Sequence, residues 1–158
     1  MLSSIHNKKE VIIEIIRQIY AKASEQEVVN YSAVIRGNRA DDYKEGRKMV
    51  RFLVRQLYAA HSGNPEIHKQ IMALILLDKE IETINREEEQ KIVSFIASLL
   101  RRYKAFVRVR DFEAAAILLN RAADEIIHRI RIIGTDIDEK RMLRELEDMI
   151  CRYLLVEK

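Results

Sequence analysis

An all-α helical bundle is the fold these 158 residues predict. Along most of the chain apolar residues recur at alternating steps of three and four, the period of a helix face rather than of a strand. Only four Gly and one Pro are present, too few for the turns of a sandwich or barrel, and the 34% of charged residues suits the solvated faces of amphipathic helices. The length is that of one domain with one core, and no linker divides it. Residues 1–158 are therefore expected to form a single all-helical domain of six or seven helices that closes with a C-terminal helical hairpin.

Each element follows from its caps and its stripe. Ser4 or Asn7 starts a first helix with Val11, Ile12, Ile15, Ile16, Ile19 and Ala23 on one face. Ser24 and Glu27 have capping-box spacing, so a short helix runs to Arg36 and stops at Gly37. Asp41 or Asp42 opens a third helix that ends near Gly63. Asn64-Pro65-Glu66 joins an N-cap, a Pro at the first helical position and an early acid. The helix that begins there carries Ile67, Ile71, Leu74, Leu77, Ile81 and Ile84 and breaks at Asn85; the next carries Ile92, Ile96, Leu99, Tyr103 and Phe106.

Asp111 caps the helix with the most regular stripe, in which Phe112, Ala116, Leu119, Ala123, Ile126, Ile130 and Ile133 keep a heptad rhythm up to Gly134. Thr135 with Asp138 opens the last helix, with Leu143, Leu146, Ile150 and Tyr153. These two helices should form the hairpin. The helices from residue 64 onward are expected to make the bundle core, with the third helix laid across it. Because Ala114, Ala115, Ala116, Ala122 and Ala123 let another backbone approach closely, Phe112, Ala116, Leu119, Ala123, Ile126 and Ile130 are the candidate interface for self-association.

The charge is segmental. Residues 1–63 and 101–134 are net basic, and 64–100 and 135–158 are net acidic, within a total of +3. Such blocks are expected to pair with one another, inside the bundle or between copies. The third helix concentrates the feature: Lys44, Arg47, Lys48, Arg51, Arg55 and Tyr58 share one arc, opposite Met49, Val50, Leu53 and Leu57. Five cations on one face repel, so something must offset them: nucleic-acid phosphates, an acidic partner, or the protein's own Glu87, Glu88 and Glu89.

Four short segments resemble three known families. Residues 34–57, VIRGNRADDYKEGRKMVRFLVRQL, are similar to the first helices of the DNA-binding domain of the bacterial replication initiator. Where that family has a Gly-rich loop and Asp-His-Thr-Thr, this chain reads IHKQIMALILL, an apolar helix that cannot read bases. RQLYAAH, from Arg55 to His61, and the stretch from Arg121 to His128 resemble the Arg-to-His pattern of HEPN ribonucleases, which implies a cation and an acid/base beside a scissile phosphate. RDFEAAAILLNRA, residues 110–122, resembles the UVR helix, which implies protein docking.

Motif-bearing enzyme classes are not represented, since the sequence has no phosphate loop, nucleophile elbow or dinucleotide fingerprint. Glu125 and His128 have Glu-x-x-His spacing, but a di-iron bundle needs two such motifs, and His6, His61 and His68 lack ligand spacing with one another. No metal site and no cofactor are expected. Cys151 cannot form an intramolecular disulfide and reads as a small buried hydrophobe. No apolar run reaches membrane-spanning length and no secretory signal opens the chain, so the expected setting is the cytoplasm, with no membrane partner. The function expected is non-catalytic: a helical adaptor or regulator that contacts an unidentified protein partner and self-associates. The alternative is a nucleic-acid-binding regulator using the basic helix 44–58; a HEPN-type ribonuclease comes third.

Overall fold

The computed structural model describes residues 2–21, 42–61 and 63–156. Among these are six α-helices: α1 (Leu2–Ala21), α2 (Asp42–Ala60), α3 (Pro65–Leu77), α4 (Lys79–Arg102), α5 (Phe112–His128) and α6 (Glu139–Leu154). A π-helical turn, Arg129–Ile133, continues α5. The fold is all-α, as the periodicity predicts. The short helix expected over residues 24–36 lies outside the described residues.

Local chemistry sets most helix starts. The Asn64 side chain accepts from the Glu66 amide at 2.9 Å, the Asp111 carboxylate from the Ala114 amide at 3.0 Å and the Asp138 carboxylate from the Arg141 amide at 2.9 Å. Asp138, not Thr135, is thus the cap of α6. The expected break at Asn85 falls instead at Asp78, whose carboxylate accepts from the Glu80 and Ile81 amides while its own amide donates to Leu74 O. Lys9 of α1 pairs with both Asp78 and Glu80 and fastens this junction. Asn85 remains mid-helix and accepts a hydrogen bond from the Tyr20 hydroxyl at 3.1 Å.

Two larger clusters and one small one make the core of the described residues. In the first, Ile16 of α1 packs with Ile71 of α3 and Ile81 of α4. In the second, Val50 and Val54 of α2 meet Leu100, Ala115, Ala123, Ile127, Leu146, Ile150, Cys151 and Leu154. The basic helix is therefore a wall of the core rather than a strut laid across it, because its apolar face is wide enough to be buried between α5 and α6. Ala116, fully buried, lets α5 close against Val93 and Ala97 of α4. Phe106 does not continue the stripe of α4: the helix ends at Arg102, and Phe106 and Arg108 pair with the C-terminal segment, Arg108 N donating to Leu154 O at 2.8 Å and Val156 N to Phe106 O at 3.2 Å. This short antiparallel contact ties the link between α4 and α5 to the end of the chain.

The heptad stripe of α5 is consumed inside this chain. Ala116 and Ala123 are buried, and Phe112, Leu119 and Ile126 pack against the second cluster, with Ile130 half-buried. That stripe cannot be the interface expected from it, since the same face is needed to close the monomer's own core. Ile133 breaks the rhythm and is 51% exposed, as the wider π-helical turn rotates it off the stripe. Gly134 then ends the turn at φ 99° and ψ 156°, a conformation open essentially only to Gly.

Candidate functional site: a buried histidine and aspartate cluster

The C-terminal end of α2, the first turn of α3 and the last turns of α5 converge on three histidines and one aspartate. His61 terminates α2 and is 5% exposed; His68, one turn into α3, is 7% exposed. Asp124 and His128 stand four residues apart on α5, hence on one face of it. The His61 ring nitrogen Nδ1 lies 2.8 Å from Leu57 O. A carbonyl only accepts, so that nitrogen carries the proton and the Nε2 lone pair of neutral His61 points the other way. Opposite it stand His128 Nε2 at 3.0 Å and Asp124 Oδ1 at 3.3 Å. The second oxygen of Asp124 lies 3.4 Å from His128 Nδ1.

His68 stacks on His61 with ring centroids 5.6 Å apart, and its Nε2 is buried without a hydrogen-bond partner. Gly63 permits this packing, because a Cβ there would lie 3.3 Å from His68 Cε1. The surroundings tune each group. Burial pushes His61 down, but the hydrogen bonds to Asp124 and the Leu57 carbonyl outweigh it and hold its pKa above the ordinary imidazole value. Burial lowers His128 despite the Asp124 charge, and burial with the charges of His61 and His128 lowers His68. Burial raises Asp124, yet its bond to His61 and the nearby positive charges bring it below the usual carboxylate range. Tyr20, hydrogen-bonded to Asn85, is raised by burial and by the charges of Asp124 and Glu89.

A neutral His61 would thus turn its Nε2 lone pair toward a carboxylate, two acceptors face to face. A cation between them resolves the conflict, either a proton on Nε2 or a metal ion. His61, Asp124 and His128 each offer a ligand atom, all within 4.8 Å of one another. No ligand constellation is expected from local spacing, and this candidate set is assembled across 67 residues of sequence, beyond the reach of such spacing. One half of it was available locally: Asp124 and His128 share a helix face, whereas Glu125, the residue paired with His128 by spacing, is exposed.

The basic face of α2 has another use. Arg47 reaches Asp148 of α6 at 3.5 Å, Arg51 reaches Glu147 at 3.1 Å, and Lys48 pairs with Glu45 at 2.7 Å. Lys44 and Arg55 are exposed. Tyr58 is covered by the Arg131 guanidinium, 5.0 Å from the ring centroid, which also donates to its hydroxyl at 3.2 Å. Glu89 instead takes Arg121 at 2.8 Å. The alternating charge blocks therefore pair within the chain, with the acids of α6 rather than Glu87, Glu88 and Glu89 facing α2. The same contacts separate the HEPN-like pairs: both histidines lie in the cluster, while Arg121 turns to Glu89 and Arg55 to solvent. Cys151 is buried, and burial raises its pKa, which leaves it a core thiol.

Among the described residues no helix is long and apolar enough to cross a membrane. A family profile described as "Tetracyclin repressor-like, C-terminal domain" matches residues 47–154, about two thirds of the chain. No curated protein and no solved structure matches. The matched span begins in the basic helix and takes in every member of the cluster.

Proposed function

Because this chain belongs to the tetracyclin repressor-like C-terminal domain family, we propose that it is a transcriptional repressor in which residues 47–154 form the effector-sensing and self-associating part, acting on DNA as a regulator rather than as an enzyme. The observation that carries this reading is the family match over α2 to α6. The buried polar cluster supports it. A structural core gains little from three histidines and a carboxylate, whereas a sensor needs a place where an effector changes the balance between two states.

Self-association would use the surface that the monomer leaves apolar. Ile117 and Leu118 of α5 are 49% and 58% exposed, and Met149 and Tyr153 of α6 are 49% and 40% exposed. These lie on the outer faces of the two helices expected to meet a second copy, and a contiguous apolar patch formed by them would mark the interface. Light scattering of the purified protein tests it: a dimer mass is expected, and Leu118→Glu with Met149→Glu should return a monomer.

The repressor reading is tested by incubating the protein with fragmented genomic DNA, sequencing what is retained, and measuring anisotropy on the enriched sequence at two salt concentrations. Sequence-dependent binding with a steep salt slope is expected. Absence of any enriched sequence would overturn the reading. Since Arg47 and Arg51 are engaged by α6, an Arg47→Glu/Arg51→Glu variant is expected to retain DNA binding; its loss in a folded variant would make the basic helix 44–58 the nucleic-acid face.

A further inference from the structure

We infer that His61, Asp124 and His128 are the ligands of a divalent transition-metal ion of the zinc, cobalt or nickel class. This inference is independent of the repressor reading. A tetrahedral ion with bonds of about 2.0–2.1 Å has ligand atoms about 3.3 Å apart. The separations of His61 Nε2 from His128 Nε2, 3.0 Å, and from Asp124 Oδ1, 3.3 Å, are of that size. The Leu57 carbonyl fixes the His61 tautomer by accepting from Nδ1, which is how ligand imidazoles are usually held. The lone pair so exposed faces the carboxylate, an arrangement that costs free energy until a cation enters.

A second feature points to the same place. His68 is 7% exposed, stacks on His61, and keeps Nε2 buried with no hydrogen-bond partner, which puts a further unpaired nitrogen beside the three ligands. Of the nearby fixed cations, Arg131 is drawn onto Tyr58 and Arg121 onto Glu89, which leaves the carboxylate to the histidines. Two imidazoles and one carboxylate, with no thiolate, suit zinc, cobalt or nickel; calcium and magnesium need more oxygen ligands than the site offers. Bound there, the ion would join the end of α2 to the end of α5.

Titration of the chelator-treated full chain with Co2+, followed by its visible absorption and then by displacement with Zn2+, tests the site. One ion per chain is expected. Asp124→Asn should weaken binding at least tenfold and His128→Gln more, while Glu125→Gln, which alters the exposed neighbour, should leave it unchanged. Failure of the wild-type chain to saturate at submillimolar Co2+ would overturn the inference, as would folded Asp124→Asn and His128→Gln variants that bind like wild type. If those variants do not fold, X-ray absorption of the zinc-loaded wild type decides: two or three imidazoles support the site, and fewer than two overturn it.

Discussion

Along α2 the N-terminal half and the C-terminal end handle charge differently. Near its start Arg47 and Arg51, 40% and 55% exposed, reach acids of α6 across a wet surface. At its end His61, 5% exposed, meets His128 and Asp124, which are 15% and 31% exposed. In water an ion pair gains little beyond what hydration already supplied, so the first region tolerates loss of a partner. In the second, His61, Asp124 and His128 depend on one another, so removing one strands another. The lesson is that the conspicuous charges of this sequence are the energetically quiet ones, and the inconspicuous histidines hold the consequential contacts.

Ile127 gives the upper bound against which both regions can be measured. It is fully buried between Asp124 and His128 in sequence and packs in the core on the opposite side of α5 from solvent. Ile127→Ala should destabilise the protein by about 2–5 kcal/mol through lost burial and a residual cavity. Urea unfolding monitored by circular dichroism reads it as a lower midpoint. A smaller loss than that of any polar variant below would break the comparison, because packing would then count for less than the cluster.

Asp124→Ala comes next. It leaves His61 buried without its carboxylate, and a stranded buried polar group costs about 1–3 kcal/mol. The same variant should lower the His61 pKa toward the ordinary imidazole range, since the bond to Asp124 is the chief influence holding it up against burial. Urea unfolding and the pH dependence of the His61 ring resonances test the two halves separately.

The pH dependence of stability follows from the signs of the shifts. His61 is raised, so its contribution is complete below the unfolded imidazole value of 6.5 and is lost as pH rises through its folded pKa. His68 and His128 are lowered, so their contributions are present above 6.5 and are lost as pH falls toward their folded values. Asp124 is lowered too, and its contribution holds until pH falls through the acid range. With chelator present, stability should peak near the ordinary imidazole pKa and decline on both sides. Denaturation midpoints from pH 5 to 8.5 measure this, and Asp124→Ala should remove the alkaline decline.

How much of this was readable from sequence depends on distance along the chain. The caps at Asn64 and Asp111 were legible because each acts on an amide two or three residues away, whereas the Thr135–Asp138 spacing points to Thr135 and the cap is Asp138. The stripe of α5 correctly marked a buried face, but periodicity cannot say whether the neighbour is another helix of the same chain or of a second copy. Asp78 was missed because an apolar stripe that continues across it hides a capping acid, and Lys9, which fastens it, comes from 69 residues earlier. In the cluster, Asp124 and His128 form an i, i+4 pair, but the Glu-x-x-His spacing points to Glu125 in place of Asp124. His61 was not legible, since its place opposite them depends on how α2 packs against α5.

The smallest expected effect belongs to the exposed end of α2. Arg51 reaches Glu147 at 3.1 Å with its side chain 55% exposed, so holding the pair together costs side-chain freedom and yields a screened attraction. Arg51→Ala should lower stability by no more than about 1 kcal/mol, and salt at 1 M should erase most of the difference from wild type. Arg51→Glu should cost more than Arg51→Ala because it sets two carboxylates against each other, and this excess should also fall with salt. Urea melts at low and high salt distinguish the outcomes. If Arg51→Ala cost as much as Asp124→Ala at either salt concentration, α6 would be held to α2 by charge rather than by Val50, Val54, Ile150 and Leu154, and the two ends of the helix would no longer differ in kind.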